Sequence, residues 1–411
     1  MSNQKLITLL ERINEILLPL EHEPDFNKDR YALLAGDSLF SGNLGLVVYH
    51  YNFYKIFGSE NSRDLAMKLL QNIIERVEDG TGTLSNYTLS YGLSGLGMVL
   101  SLLINGNFIN TDDVELGNLD ELVFEWAIDR IRNNDSEFMH GAFGAVHYLC
   151  ENSETGSFGK EYFDILIQEL KAKAIHDPDG GIYFDLFNQF IPEYPRNSIN
   201  LSFSHGITGI LFILLDLIDK GLIDEKYKDF ALEIVKYLES KIEDVDFSKK
   251  IYCHSDSVVS EIITGRRNTR LAWCYGDLNQ VVTLLHAGQT LKDESLIALS
   301  NKIGITTTKR LDFEQTYISD TQFCHGTSGL VYIYDYLYEK THLAEYLTAK
   351  NHWLEKTLDL LESELNTDYY TQKDKAGELL EGLPGVALVL LSEVGKSQGQ
   401  KLNWGKIFLL Y

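Results

Sequence analysis

The sequence predicts an all-α fold: an α/α toroid of seven inner and seven outer helices, with loop insertions on the rim. Three observations predict it. A Gly-x-x-Gly pair recurs seven times in the 411 residues: at Gly42 and Gly45, Gly92 and Gly95, Gly141 and Gly144, Gly206 and Gly209, Gly276 with Asn279, Gly326 and Gly329, and Gly382 and Gly385. Each pair opens a segment that is apolar around most of its circumference. Between these lie segments with one apolar face only. Self-similarity of this kind defines the architecture before any single element does.

Successive first glycines lie 50, 49, 65, 70, 50 and 56 residues apart. The runs that follow them, such as Leu46–Tyr49 and Val386–Leu391, read as helices buried on nearly all sides. The one-faced segments occupy about 3–19, 64–78, 117–132, 160–175, 226–244, 293–304 and 343–364. In the second of these, Leu65, Leu69, Leu70, Ile73, Ile74 and Val77 follow the helical period. In the fifth, Ala231, Ile234, Val235, Leu238 and Ile242 do so. A ring of buried helices needs an outer layer with polar faces outward, and the one-faced helices supply it. An open solenoid of the same hairpins is the competing architecture, and the lack of polar end-caps favours closure. The chain reads as a single domain over 1–411. Two spacings are long and carry the insertions. One covers about 176–203, a turn with a short strand or hairpin followed by Pro192 and Pro195. The other covers about 244–268, polar and irregular, with Arg266 and Arg267 near its end.

With 44% hydrophobic and 11% aromatic residues the chain can bury a large core. A formal charge of −24 excludes a nucleic-acid binder, which needs a basic footprint. The N-terminal stretch has charges inside its apolar run and lacks the pattern of a secretory signal. No run reaches the roughly 18 apolar residues of a transmembrane segment. Four cysteines in a chain this long do not make a disulfide framework, so they read as thiols free for metal or chemistry. The expected location is cytoplasmic.

The residues just before each first glycine sit where the chain leads into the ring. Cys274 and Cys324 occupy the same position in consecutive repeats, and His325 follows one later. Equivalent positions in neighbouring repeats lie side by side, so two thiols and an imidazole can converge there. This is a donor set that zinc takes while keeping one position open. His205 stands one before Gly206 and is a candidate general acid or base on the same rim. His140 stands in the same place before Gly141. Arg270, four before Cys274, can steady developing negative charge. Cys253 and His254 lack the following glycine and receive no role, and Cys150, with His147 on the same helical face, reads as core.

At these residues the sequence resembles the lanthionine synthetase C-like family of lanthipeptide cyclases. The resemblance rests on the seven glycine-marked repeats, the Arg270–Gly276 stretch, the Cys324–Gly326 stretch, and Ser204, His205 and Gly206. It implies an α/α toroid with one Zn2+ per chain held by Cys274, Cys324 and His325. It also implies that a cysteine of a dehydrated precursor peptide adds as thiolate to dehydroalanine or dehydrobutyrine, forming lanthionine or methyllanthionine rings. The residues matching the catalytic group are His205, Arg270 and Tyr275. The implied partners are the precursor peptide, a dehydratase and a membrane-bound exporter. One position departs from the pattern: Glu137 stands where the family commonly has an aspartate, and Asp135 is the nearby substitute. The alternatives are a relative that adds glutathione or another thiol to dehydroamino acids in proteins, and a non-catalytic peptide-binding toroid.

Overall fold

The structure is a computed structural model that describes residues 3–22, 36–110, 118–153, 158–186, 198–244, 252–254, 257–259, 270–367, 369–372 and 375–411. Pro192, Pro195, Arg266 and Arg267 lie outside the described residues, as does most of the 244–268 insertion. The helices, in order, are α1 (Asn3–Leu17), α2 (Asn43–Phe57), α3 (Glu60–Glu78), α4 (Leu93–Asn105), α5 (Leu119–Arg132), α6 (Ala142–Glu151), α7 (Lys160–Lys171) and α8 (Ile207–Asp219). They continue as α9 (Lys228–Ser240), α10 (Asp277–Leu291), α11 (Glu294–Thr307), α12 (Phe313–Thr316), α13 (Thr327–Thr341), α14 (Ala344–Leu365), α15 (Tyr369–Gln372) and α16 (Leu383–Ser397). Each of the seven glycine positions is the N-cap of a helix: α2, α4, α6, α8, α10, α13 and α16. These are the predicted all-round apolar helices. In α8, for example, every residue from Ile207 to Ile218 is buried. The one-faced helices alternate with them as α1, α3, α5, α7, α9, α11 and α14.

The chain divides into two compact units, one of Met1–Gly117 with Ser319–Tyr411 and one of Asn118–Ile318. In the first, the buried helices pack in the sequence α13, α16, α2, α4, and α1 lies against α14 and α16. The last repeat therefore sits beside the first, and the backbone N–H of Leu380 donates to the carbonyl of Phe40 at 3.1 Å. An open solenoid would hold these two repeats apart. A C-terminal 3-10 turn, Trp404–Phe408, packs against them: the Phe408 ring lies tilted 5.5 Å from Phe40 and 4.4 Å from Phe323. In the second unit the buried helices pack in the sequence α6, α8, α10.

Helix α7 stops at Lys171, short of the expected 175, because Ile175–His176 turns into a hairpin. That strand, β1, pairs antiparallel with β2 (Ile182–Tyr183). Further on, β3 (Ser198–Asn200) pairs antiparallel with β4 (Ser257–Val259), so the two insertions meet each other in this unit. The pairing joins segments about 60 residues apart, which local periodicity does not register.

The second glycine of the motif has a packing cause. A Cβ on Gly329 would lie 2.1 Å from the carbonyl oxygen of Phe323, six residues earlier. The same contact would be 2.7 Å at Gly45, 2.4 Å at Gly95, 2.2 Å at Gly209 and 2.2 Å at Gly385. The backbone approaches too closely for any side chain. In the fifth copy Asn279 replaces this glycine, and its Nδ2 donates to the corresponding carbonyl, Trp273 O, at 3.5 Å. Gly276 compensates at the first position. It takes φ +96°, while the other six N-cap glycines lie between −106° and −138°.

Candidate active site and metal ligands

The lead-in loops are tied together by their backbones at the position two before each first glycine. In one unit the N–H of Cys324 donates to Leu380 O at 3.0 Å, and Leu380 N–H to Phe40 O. In the other, Met139 N–H donates to Ser204 O at 3.2 Å, and Ser204 Oγ donates to Cys274 O at 3.4 Å. Equivalent positions are thus direct neighbours within each unit, as the repeat logic requires. The glycine N-caps carry no side-chain cap, so the first N–H groups of these helices lack that partner.

In the second unit a carboxylate and two imidazoles meet. Glu137 Oε2 accepts from Met139 N–H at 2.9 Å, and Oε1 accepts from His140 N–H. Glu137 Oε2 also lies 2.9 Å from His205 Nδ1. The His140 and His205 rings stack with centroids 5.2 Å apart, and the Tyr275 ring lies tilted to His205 at 6.5 Å. Glu137 is fully buried while His205 keeps 16% of its side chain exposed. Burial raises the Glu137 carboxyl, but His205, His140 and the Met139 N–H together outweigh it and hold the pKa below its ordinary value. Burial pushes His140 down to about 4, with Glu137 opposing and His205 reinforcing the shift. His140 is therefore a neutral ring at neutral pH.

Glu137, the departure from the expected aspartate, is the residue that reaches His205. Asp135 does not take its place: its carboxylate faces Arg130 at 3.4 Å, and burial followed by Glu137 raises its pKa to about 7. Arg270 lies at the end of the segment that leads to Cys274, and its Nε is buried with no hydrogen-bond partner among the described residues. Neither Cys274 nor Cys324 is in a disulfide, and each is 6% exposed. Cys324 and His325 are adjacent in the lead-in to α13, in the first unit, and cysteine and histidine are donor types that zinc takes.

Sequence reasoning missed Asp277, the first residue of α10. Its carboxylate is buried, accepts the backbone N–H groups of Cys253 and His254 at 3.0 and 2.9 Å, and pairs with Arg310 at 2.8 Å. Cys253 and His254, given no role from the sequence, are held here through their backbones. The available signal was an aspartate in a first helical turn, which is too common to single out.

Residues 34–409 match the family described as lanthionine synthetase C-like protein. The nisin biosynthesis protein NisC of Lactococcus lactis subsp. lactis is 24% identical over 360 residues, covering 80% of each chain. Among solved structures, nisin cyclase superposes with a TM-score of 0.73 at 18% identity, over 99% of this chain and 97% of that one. The fold is accordingly an α/α toroid. No helix among the described residues is long and apolar enough to cross a membrane.

Proposed function

Because the chain belongs to the lanthionine synthetase C-like family, we propose that it is a lanthipeptide cyclase. It adds cysteine thiolates of a dehydrated precursor peptide to dehydroalanine or dehydrobutyrine and so closes thioether rings. One observation carries this reading: in a chain of this family, Cys274 and Cys324 stand outside any disulfide at equivalent lead-in positions of consecutive repeats, with His325 one residue later. Cys274, Cys324 and His325 are the residues that would hold one zinc. Zinc held by three protein ligands supplies Lewis acidity that lowers the pKa of a substrate thiol.

The addition forms one C–S bond at the β-carbon and one C–H bond at the α-carbon, and nothing leaves. The chain must therefore move one proton and stabilise an enolate between the two events. A carboxylate only accepts, so its contact with His205 Nδ1 fixes the proton on that nitrogen. Nε2 is left with a lone pair that takes the thiol proton and returns it to the α-carbon. Glu137 is a positioning residue, since its oxygens are engaged by Met139, His140 and His205. Arg270 offers the enolate oxygen a donor. A buried donor without a partner costs about 1–3 kcal/mol, which a substrate oxygen would offset. Tyr275 packs beside His205 and limits the space for the substrate.

The experiment is mass spectrometry of a dehydrated precursor peptide after incubation with the chain and alkylation of residual thiols, paired with metal analysis. The expected result is loss of alkylatable thiols, and loss of zinc in Cys274→Ala and Cys324→Ala. Full zinc in both variants would remove the ligand assignment, and cyclisation by His205→Ala at the parent rate would remove His205. Transfer of added glutathione in place of ring closure would move the reading to the thiol-adding relatives.

A further inference from the structure

A second cluster of metal-type donors lies in the Asn118–Ile318 unit, on residues that the cyclisation chemistry does not use. His147, Cys150 and Glu151 stand at i, i+3 and i+4 on α6, so they share one helical face. Asp216 on α8 faces them, and the ligand atoms of His147, Glu151 and Asp216 all lie within 4.8 Å of one another. Cys150 Sγ is 3.4 Å from Asp216 Oδ2. All four side chains are buried. The Lys220 ammonium lies 3.2 Å from Asp216, is 3.5 Å from Cys150 Sγ and also pairs with Glu151.

Two buried carboxylates face the Lys220 ammonium, and buried carboxylates are held by pairing or by a metal. A divalent cation matches two carboxylates, and an imidazole and a thiol complete four mixed N, S and O donors of the kind zinc accepts. Helices preorganise these donors, and Lys220, at the C-cap of α8 and 31% exposed, can withdraw into water. We propose that His147, Glu151 and Asp216, with Cys150 as the fourth donor, form a second divalent-metal site of zinc type, and that Lys220 competes with the metal for the two carboxylates. Metal there would tie α6 to α8, the helices that follow the loops bearing Glu137 and His205. The inference does not depend on the cyclase reading.

The test is a cobalt(II) titration of the full chain carrying Cys274→Ala and Cys324→Ala, so that the thiolates of the other donor set are absent. One equivalent should bind and give a sulfur-to-cobalt charge-transfer absorption, and Cys150→Ser should abolish that band. Lys220→Ala should tighten binding by about tenfold or more, because a competing charge is gone. Absence of the band, its survival in Cys150→Ser, or unchanged affinity in Lys220→Ala would each overturn the proposal. Should the double variant not fold, the parent chain equilibrated with low-micromolar free zinc serves instead. A zinc content that falls by one equivalent in His147→Ala supports the site, and one unchanged by His147→Ala overturns it.

Discussion

Glu137→Gln is the substitution that separates a positioning carboxylate from a spectator. It changes almost no volume and removes one charge from a fully buried site that holds His205 at 2.9 Å. A glutamine oxygen in the place of Oε1 still accepts from the His140 N–H, and the amide nitrogen then takes the place of Oε2, beside Met139 N–H and His205. That amide would then face His205 Nδ1 as a donor, and the imidazole would meet it only as the opposite tautomer, with the proton on Nε2. The group meant to take the thiol proton would thereby lose its lone pair. Charge centres about 4 Å apart at an effective dielectric near 20 interact by about 4 kcal/mol. At 1.36 kcal/mol per decade that is roughly a thousandfold in rate, within the usual range for general acid–base work. We expect kcat for ring closure to fall about 10³-fold in Glu137→Gln with KM changed less than about threefold. Glu137→Asp, which keeps the charge with a shorter reach, should recover part of the loss. Single-turnover cyclisation followed by mass spectrometry measures both. A Glu137→Gln enzyme within about threefold of the parent kcat refutes the reasoning, because neither the charge nor the tautomer would then matter.

Three further outcomes follow from the packing. His50 on α2 is buried and burial pushes it down to about 4 from its ordinary 6.5, so the unfolded chain takes up a proton that the folded chain refuses until about pH 4. Stability from this group is thus lost as pH falls from 6.5 to 4, by up to about 3 kcal/mol. Asp135 and Glu364, raised to about 7 mainly by burial, act in the opposite sense. The clean measurement is therefore His50→Leu against the parent, whose difference in Tm should grow in favour of the variant on acidification; a pH-independent difference sinks it. Asp277→Asn breaks a buried pair with Arg310 and should cost roughly 3–5 kcal/mol in denaturant unfolding, with faster proteolysis around Cys253. Gly329→Ala drives a methyl to within 2.1 Å of the Phe323 carbonyl and should lower stability by at least about 1–3 kcal/mol, whereas an unchanged Tm would mean that the helix start yields.

Much of the frame was legible because its cause is repeated. The close contact that forbids a side chain at Gly329 recurs at Gly45, Gly95, Gly209 and Gly385, and so it leaves a periodic mark. The helical faces were legible for the same reason, through the 3.6-residue period. What escaped was built from single long-range contacts. The β3–β4 pair joins two insertions, the Trp404–Phe408 turn packs against Phe40 and Phe323, and Asp277 holds Cys253 and His254. None of these has a period, and each depends on which segments the fold brings together. Within the candidate site, His205 and Glu137 could be named from position, but the choice between Glu137 and Asp135 needed the direction of each side chain.

The fifth repeat shows how a departure from the rule can be informative. With Asn279 in place of the second glycine, α10 cannot begin as the other buried helices do. Gly276 turns to φ +96°, where a Cβ would strike the carbonyl of Arg270 at 2.1 Å. Asp277 then reaches back to hold the second insertion and Arg310. These changes fall within a few residues of Arg270, Cys274 and Tyr275, three of the residues singled out for chemistry. A broken local rule at one copy, with compensating contacts around it, marks a place held for reasons other than packing. The copy that fits the repeat least well carries three of the seven candidate site residues, more than any other copy.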